Sequence, residues 1–91
     1  MPITGPRWLG RSAWAKDGIR VNAIAPGWIA TELTRPLVDD EGKSGAILGR
    51  TPLGRWGEPD DLGGAVEFLV SEQARFVTGV ILPVDGGYAA N

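Results

Sequence analysis

The sequence contains no cysteine and no histidine. The first absence excludes disulfides and thiol chemistry and fits a reducing cytoplasm. The second removes the imidazole general base and every histidine-based metal site. Lysine occurs only as Lys16 and Lys43, and neither sits in an apolar context that would depress its pKa into the range of an amine nucleophile. Tyr88 is the single tyrosine and lies close to the C-terminus, where packing or an interface is the expected role. No apolar run approaches the ~18–20 residues of a membrane helix. Met1 to Gly10 holds Arg7 but no apolar stretch of the signal-peptide kind. A soluble cytoplasmic protein with no membrane partner is therefore expected. With a net charge of −2 and arginines scattered singly, Arg7 and Arg11 included, no nucleic-acid partner is expected either.

What is present is a chain of 91 residues, room for one small domain at most. A domain of this size buries only about 60–65% of its unfolded surface, so its stability margin is thin. A hydrophobic content of 43% with 22% charged residues is ordinary globular composition. Fourteen glycines and seven prolines assign much of the chain to loops.

The most informative stretch is Arg20-Val21-Asn22-Ala23-Ile24-Ala25-Pro26-Gly27-Trp28-Ile29-Ala30-Thr31. Ile19 to Ala25 reads as a short buried strand, stopped at Pro26-Gly27 and followed by the hydroxyl of Thr31. Ligands of parallel α/β sheets sit beyond the carboxyl ends of strands, so this turn is a candidate wall of a ligand site. Upstream, Ser12 to Lys16 fits the last turn of a helix closed by Asp17-Gly18. Downstream, Thr31 to Leu53 reads as a long excursion with short helices. Pro36 interrupts its first piece, and Asp39-Asp40-Glu41 starts a second through Ala46, Ile47 and Leu48, weakened by Gly42 and Gly45. The clearest helix opens at Pro59 with Asp60 and Asp61 at its positive end. Leu62, Ala65, Val66, Leu69 and Val70 form one apolar stripe on it. Gly63 and Gly64 inside that helix suggest close approach by a neighbouring backbone. Val77 to Val84 reads as a second strand, carried by Val80, Ile81, Leu82 and Val84. Pro83 places it at a sheet edge, and Asp85-Gly86-Gly87 ends it. Strand, helices and strand in this order imply one parallel crossover.

No phosphate-cradling glycine motif and no metal-ligand constellation occurs. The carboxylates of Glu58, Asp60 and Asp61, and of Asp39, Asp40 and Glu41, read as helix starts. Trp56 is expected to pin the Gly54-Arg55-Trp56-Gly57 turn. For Trp28 a pocket lining and plain packing are both open, as are capping and ligand contact for Thr31.

From about Trp14 onward the chain resembles the C-terminal third of short-chain dehydrogenases/reductases. Three blocks carry the likeness in order: Gly18-Ile19-Arg20-Val21-Asn22-Ala23-Ile24-Ala25-Pro26-Gly27 with Thr31, then Pro52-Leu53-Gly54-Arg55-Trp56-Gly57-Glu58-Pro59-Asp60-Asp61-Leu62, then Val77-Thr78-Gly79 through Val84-Asp85-Gly86-Gly87. Trp28 to Leu33 and Arg50-Thr51-Pro52 are most similar to the group of gluconate 5-dehydrogenases and 2-deoxy-gluconate 3-dehydrogenases. The resemblance implies an α/β fold, the C-terminal portion of a Rossmann-type doubly wound parallel sheet: its last two strands with their helices. Residues 14–91 would form this portion, and residues 1–13 an irregular, poorly matching N-terminus. It implies that Pro26, Gly27, Ile29 and Thr31 face the nicotinamide of NAD or NADP. Trp28, Glu32 and Leu33 would begin the substrate-covering loop. The Pro59–Val70 helix and the Val80 to Val84 strand would meet a second copy or a full-length relative.

The family's glycine-rich loop, catalytic serine and Tyr-x-x-x-Lys pair have no counterpart in this chain, and no lysine follows Tyr88. The start therefore resembles a truncation, a misassigned initiator or a frameshift. Two readings follow: part of an NAD(P)-dependent oxidoreductase of a sugar-acid or polyol CH–OH group, without catalytic residues and inactive alone, or a non-catalytic oligomerisation module derived from such an enzyme.

Overall fold

A computed structural model describes residues 13–90 of the chain; the expectation for residues 1–12 lies outside that range. A helical turn, α1 (Ala13–Lys16), is closed by Gly18 at φ +80°, whose N–H returns to the carbonyl of Ala15. Then follow β1 (Ala23–Pro26), α2 (Arg35–Val38), α3 (Glu41–Gly49), α4 (Pro59–Val70), a 3-10 turn at Glu72–Ala74, β2 (Ile81–Val84) and a final 3-10 turn at Tyr88–Ala90. β1 and β2 pair in parallel with Ala23 opposite Ile81 and Pro26 opposite Val84, so α2, α3 and α4 make up the crossover. The α/β class and the parallel order follow the sequence pattern.

Four local expectations are corrected. The first strand starts at Ala23 rather than Ile19 and the second at Ile81 rather than Val77, because residues 20–22 are tied to the segment before β2 largely through side chains. Asn22 Nδ2 donates to the Val77 carbonyl at 3.0 Å and its Oδ1 accepts from Val80 N at 3.2 Å. Val21 N donates to Thr78 Oγ1, and the Arg20 guanidinium donates to the carbonyls of Leu69 and Val77. Pro36 does not interrupt a helix; it lies in the first turn of α2, where its missing N–H has no helical partner to lose.

The third correction concerns the apolar stripe of α4, which splits. Leu69 is 8% exposed, whereas Val66 is 44% and Val70 74% exposed. Fourth, no backbone among the described residues approaches Gly63 or Gly64: a Cβ at either would meet open space there. Among the described residues Leu69 and Ala74 are the buried apolar side chains and Thr51 the buried polar one. No helix among them is long and apolar enough to cross a membrane.

The helix starts behave as their acids predict. Asp40 Oδ1 accepts from Lys43 N at 2.9 Å ahead of α3. At α4, Asp61 Oδ2 accepts from Glu58 N at 2.7 Å, next to Pro59 in the first turn.

Candidate functional site

The two strands deliver their carboxyl ends side by side, and two glycines decide how closely the following chain packs there. Gly27 N donates to the Val84 carbonyl at 3.0 Å. A Cβ on Gly27 would lie 2.5 Å from Asp85 Cβ and 2.7 Å from Asp85 Cα, so only glycine lets the two strand ends touch. Beyond it, residues 28–30 run parallel to Gly57: Gly57 N donates to the Trp28 carbonyl at 2.9 Å and Ala30 N to the Gly57 carbonyl at 2.8 Å. This bridge brings the start of α4 to the end of β1.

Between these segments lies a cavity of about 160 Å³. Trp28, Ile29 and Gly57 form one side, Thr51 and Leu53 another, and Val84, Asp85 and Gly86 line the β2 end; Arg55 and Asp61 add a charged pair. The Thr51 hydroxyl is spent on the Ile47 carbonyl at 2.8 Å, which ties the wall to α3. Trp28 meets Trp56 edge to face, with centroids 6.1 Å apart, and Trp56 Nε1 donates to Ser44 Oγ at 2.8 Å. Trp56 thus joins its turn both to α3 and to the Trp28 wall. The Arg55 guanidinium grips Asp61 in two contacts, 2.9 Å and 3.2 Å. The bond from Arg55, with the one from Glu58 N, holds the Asp61 carboxyl below its ordinary pKa, and the bond to Asp61 raises that of Arg55. Asp85 accepts from Gly87 N and Ala89 N and so folds the tail back. Tyr88 packs its ring under the Arg50 guanidinium at 4.5 Å and accepts a hydrogen bond from it, a structural role.

Next to the cavity, the turn of residues 29–34 is closed by hydroxyls. Thr34 Oγ1 donates to the Ile29 carbonyl at 2.7 Å and accepts from Thr31 N at 2.8 Å. Thr31 Oγ1 accepts a long contact from Thr34 N at 3.3 Å, and stands 3.4 Å from Thr34 Oγ1. Because the Thr34 proton is committed to Ile29, Thr31 is the donor in the hydroxyl pair, and at 3.4 Å that contact is long. The Ile29 N–H makes no hydrogen bond among the described residues. A donor N–H at Ile29 and acceptor lone pairs at the Ile29 carbonyl and the Thr31 hydroxyl are complementary in type to a primary carboxamide, which offers one acceptor oxygen and two N–H donors.

Of the residues that the sequence singled out, Trp28 and Ile29 line the cavity, Gly27 makes the close strand contact, and exposed Pro26 ends β1. Thr31 belongs to the hydroxyl-closed turn, while Glu32 and Leu33 are exposed on it and are not among the cavity-lining residues. Sequence reasoning missed Thr34, Thr51, Leu53, the Arg55–Asp61 pair and Asp85 as site residues. Only the spacing of Thr31 and Thr34 offered a local signal. Among the described residues, no three His, Cys, Asp or Glu side chains gather as a metal cluster.

Residues 9–89 match the sequence model of a family described as Enoyl-(Acyl carrier protein) reductase. The chain belongs to the short-chain dehydrogenase/reductase family. It is 55% identical over 75 residues to the 2-dehydro-3-deoxy-D-gluconate 5-dehydrogenase of Bacillus subtilis, covering 82% of this chain and 30% of the relative. Among solved structures, a gluconate 5-dehydrogenase from Burkholderia cenocepacia in complex with NADP and tartrate is 49% identical with a TM-score of 0.80. That match covers 87% of this chain and 31% of the other. A 4-hydroxyisoleucine dehydrogenase complexed with NADH is 40% identical with a TM-score of 0.83, covering 87% and 32%. The chain thus spans about 30% of the length of the curated relative. The fold is that of the Rossmann-type reductases, and the two solved structures named above carry NADP and NADH.

Proposed function

We propose that this chain supplies the nicotinamide-side wall of an NAD(P)-dependent oxidoreductase acting on a sugar-acid or polyol CH–OH group. The observation that carries the reading is the turn after β1, where the Ile29 N–H has no hydrogen-bond partner among the described residues and the Thr31 hydroxyl makes only long contacts of 3.3 and 3.4 Å. Relatives named for gluconate-type substrates support the substrate class. Ile29 and Thr31 would hold the carboxamide, Pro26 and Gly27 would set the turn beneath it, and Trp28, Glu32 and Leu33 would begin the cover over the substrate. The nicotinamide supplies the hydride acceptor. The 91 residues include no Tyr-x-x-x-Lys pair for the accompanying proton transfer, so the chain alone is expected not to turn over.

The test is reduction of NADP+ with D-gluconate, followed at 340 nm. It uses the chain alone and the chain co-expressed with the Bacillus subtilis relative truncated to omit its matching segment. No turnover alone and turnover on co-expression are expected. Turnover by the 91 residues alone would refute the inactivity of the isolated chain, and failure of a folded, co-purifying pair to turn over would refute the wall assignment.

A second reading rests on α4. The half-exposed Val66 and Phe68, the more exposed Val70 and the open space beside Gly63 and Gly64 leave an apolar helix surface uncovered. A second copy or a full-length relative docking along Pro59–Val70 and Val80 to Val84 would cover it. Light scattering that finds only monomer at micromolar concentration would refute self-association through this face.

A further inference from the structure

We infer that Thr34 is a positioning residue for the carboxamide subsite, an inference that rests on the nicotinamide-wall reading above. Thr34 occupies the N-cap of α2, where a threonine hydroxyl ordinarily turns forward to an N–H of the first helical turn. Here it makes no such bond. It turns backward, donating to the Ile29 carbonyl at 2.7 Å and accepting from Thr31 N at 2.8 Å. Both are short, well-formed contacts.

What the backward turn gains is orientation of two groups at once. By taking the Thr31 N–H and one lone pair of the Ile29 carbonyl, Thr34 fixes the two peptide planes that flank Ala30. The second lone pair of the Ile29 carbonyl lies in the first of these planes, and the Thr31 backbone that carries the hydroxyl begins in the second. A subsite whose donor and acceptor are held before the ligand arrives loses less freedom on binding. Thr34 is not required to touch the ligand. It acts through Ile29 and Thr31, and a serine would do the same, whereas valine, of the same shape, would not.

The test uses the full 91-residue chain, uniformly labelled with nitrogen-15, as wild type, Thr34→Ser and Thr34→Val, titrated with nicotinamide mononucleotide. In wild type and Thr34→Ser, the Thr31 amide should be protected from exchange, and the Ile29 and Thr31 amides should shift on titration. In Thr34→Val, exchange at Thr31 should rise by about tenfold and the apparent affinity fall by about five- to tenfold. The Leu69 and Ala74 signals should stay in place and so report an intact body; if they move, Thr34→Ala is the second variant, judged by the same amides. Disturbance confined to residues 35–38, with the Thr31 amide and the ligand response intact, would show an ordinary helix cap and overturn the inference. A wild type with an ordered Thr31 amide and no response at saturating ligand would overturn the nicotinamide reading, and with it the ligand role of Thr34. Equal responses from wild type and Thr34→Val would overturn Thr34 alone.

Discussion

The two ends of helix α4 are held by different means. At its start, direction-specific polar contacts converge: the Gly57 bridge to residues 28–30, the Glu58 N–H on Asp61, the Arg55 fork and the Trp28–Trp56 pair. Toward its end the main apolar anchor is Leu69, while Val66, Phe68 and Val70 keep 44% or more of their surface in water. Full burial of such a side chain is worth about 1.5–3 kcal/mol, so this end forgoes much of what its sequence offers. The contrast teaches that the site end can keep its geometry through local hydrogen bonds, while the stability of the body hangs on very few side chains.

The strongest challenge to that contrast is Leu69→Ala, expected to cost about 3 kcal/mol because it empties the anchor of a small core. Val70→Ser on the same helix should change stability by no more than about 0.5 kcal/mol. Urea unfolding followed by circular dichroism measures both. Equal losses would show that Val70 is covered in solution, which favours the docking reading of α4.

At the site end the comparison runs between two glycines. Gly27→Ala sets its Cβ 2.5 Å from Asp85 Cβ and 2.7 Å from Asp85 Cα, where backbone would have to move. A loss of about 2 kcal/mol is expected, together with shifted amide signals at the ends of both strands. Gly57→Ala meets Ile29 Cδ1 at 2.6 Å, the tip of a flexible side chain, and a carbonyl only at 3.4 Å. Its cost should be nearer about 1 kcal/mol. If Gly57→Ala costs more than Gly27→Ala, the bridge to α4 rather than the strand contact is the stiff element of the wall.

These sites also show what the sequence made legible. Pro26-Gly27, Asp85-Gly86-Gly87 and the Pro59 start with Asp61 were readable, because turn and cap chemistry is written in neighbouring residues. Gly63 and Gly64 were misread, since their surroundings depend on what covers the helix and not on the helix itself. The strand start was misplaced because Asn22 and Arg20 spend their side chains on residues more than forty positions away. The cavity walls at Thr51, Leu53 and Asp85 were invisible for the same reason: three separated segments meet there. Thr34 stayed hidden because its hydroxyl faces backward from a cap position that sequence rules read forward.

The smallest expected effect concerns the Arg55–Asp61 pair, which is largely in solvent and therefore screened by water and salt. The folded Asp61 carboxyl lies below its ordinary pKa, first through the hydrogen bond from Arg55 and then through that from Glu58 N. A depressed folded pKa means that the unfolded chain takes up the proton first. The contribution is therefore fully present above the unfolded value of about 3.9, shrinks as the pH falls toward the folded value, and is gone below it. Asp61→Asn should thus be less stable than wild type at neutral pH, and the two unfolding curves should converge in acid. High salt should narrow the neutral gap without closing it, because the bond from Glu58 N to the carboxylate is short-ranged. A gap that persists unchanged at acid pH would assign the loss to the missing helix start, and the charge of the pair would then contribute nothing to holding α4 against the strand ends.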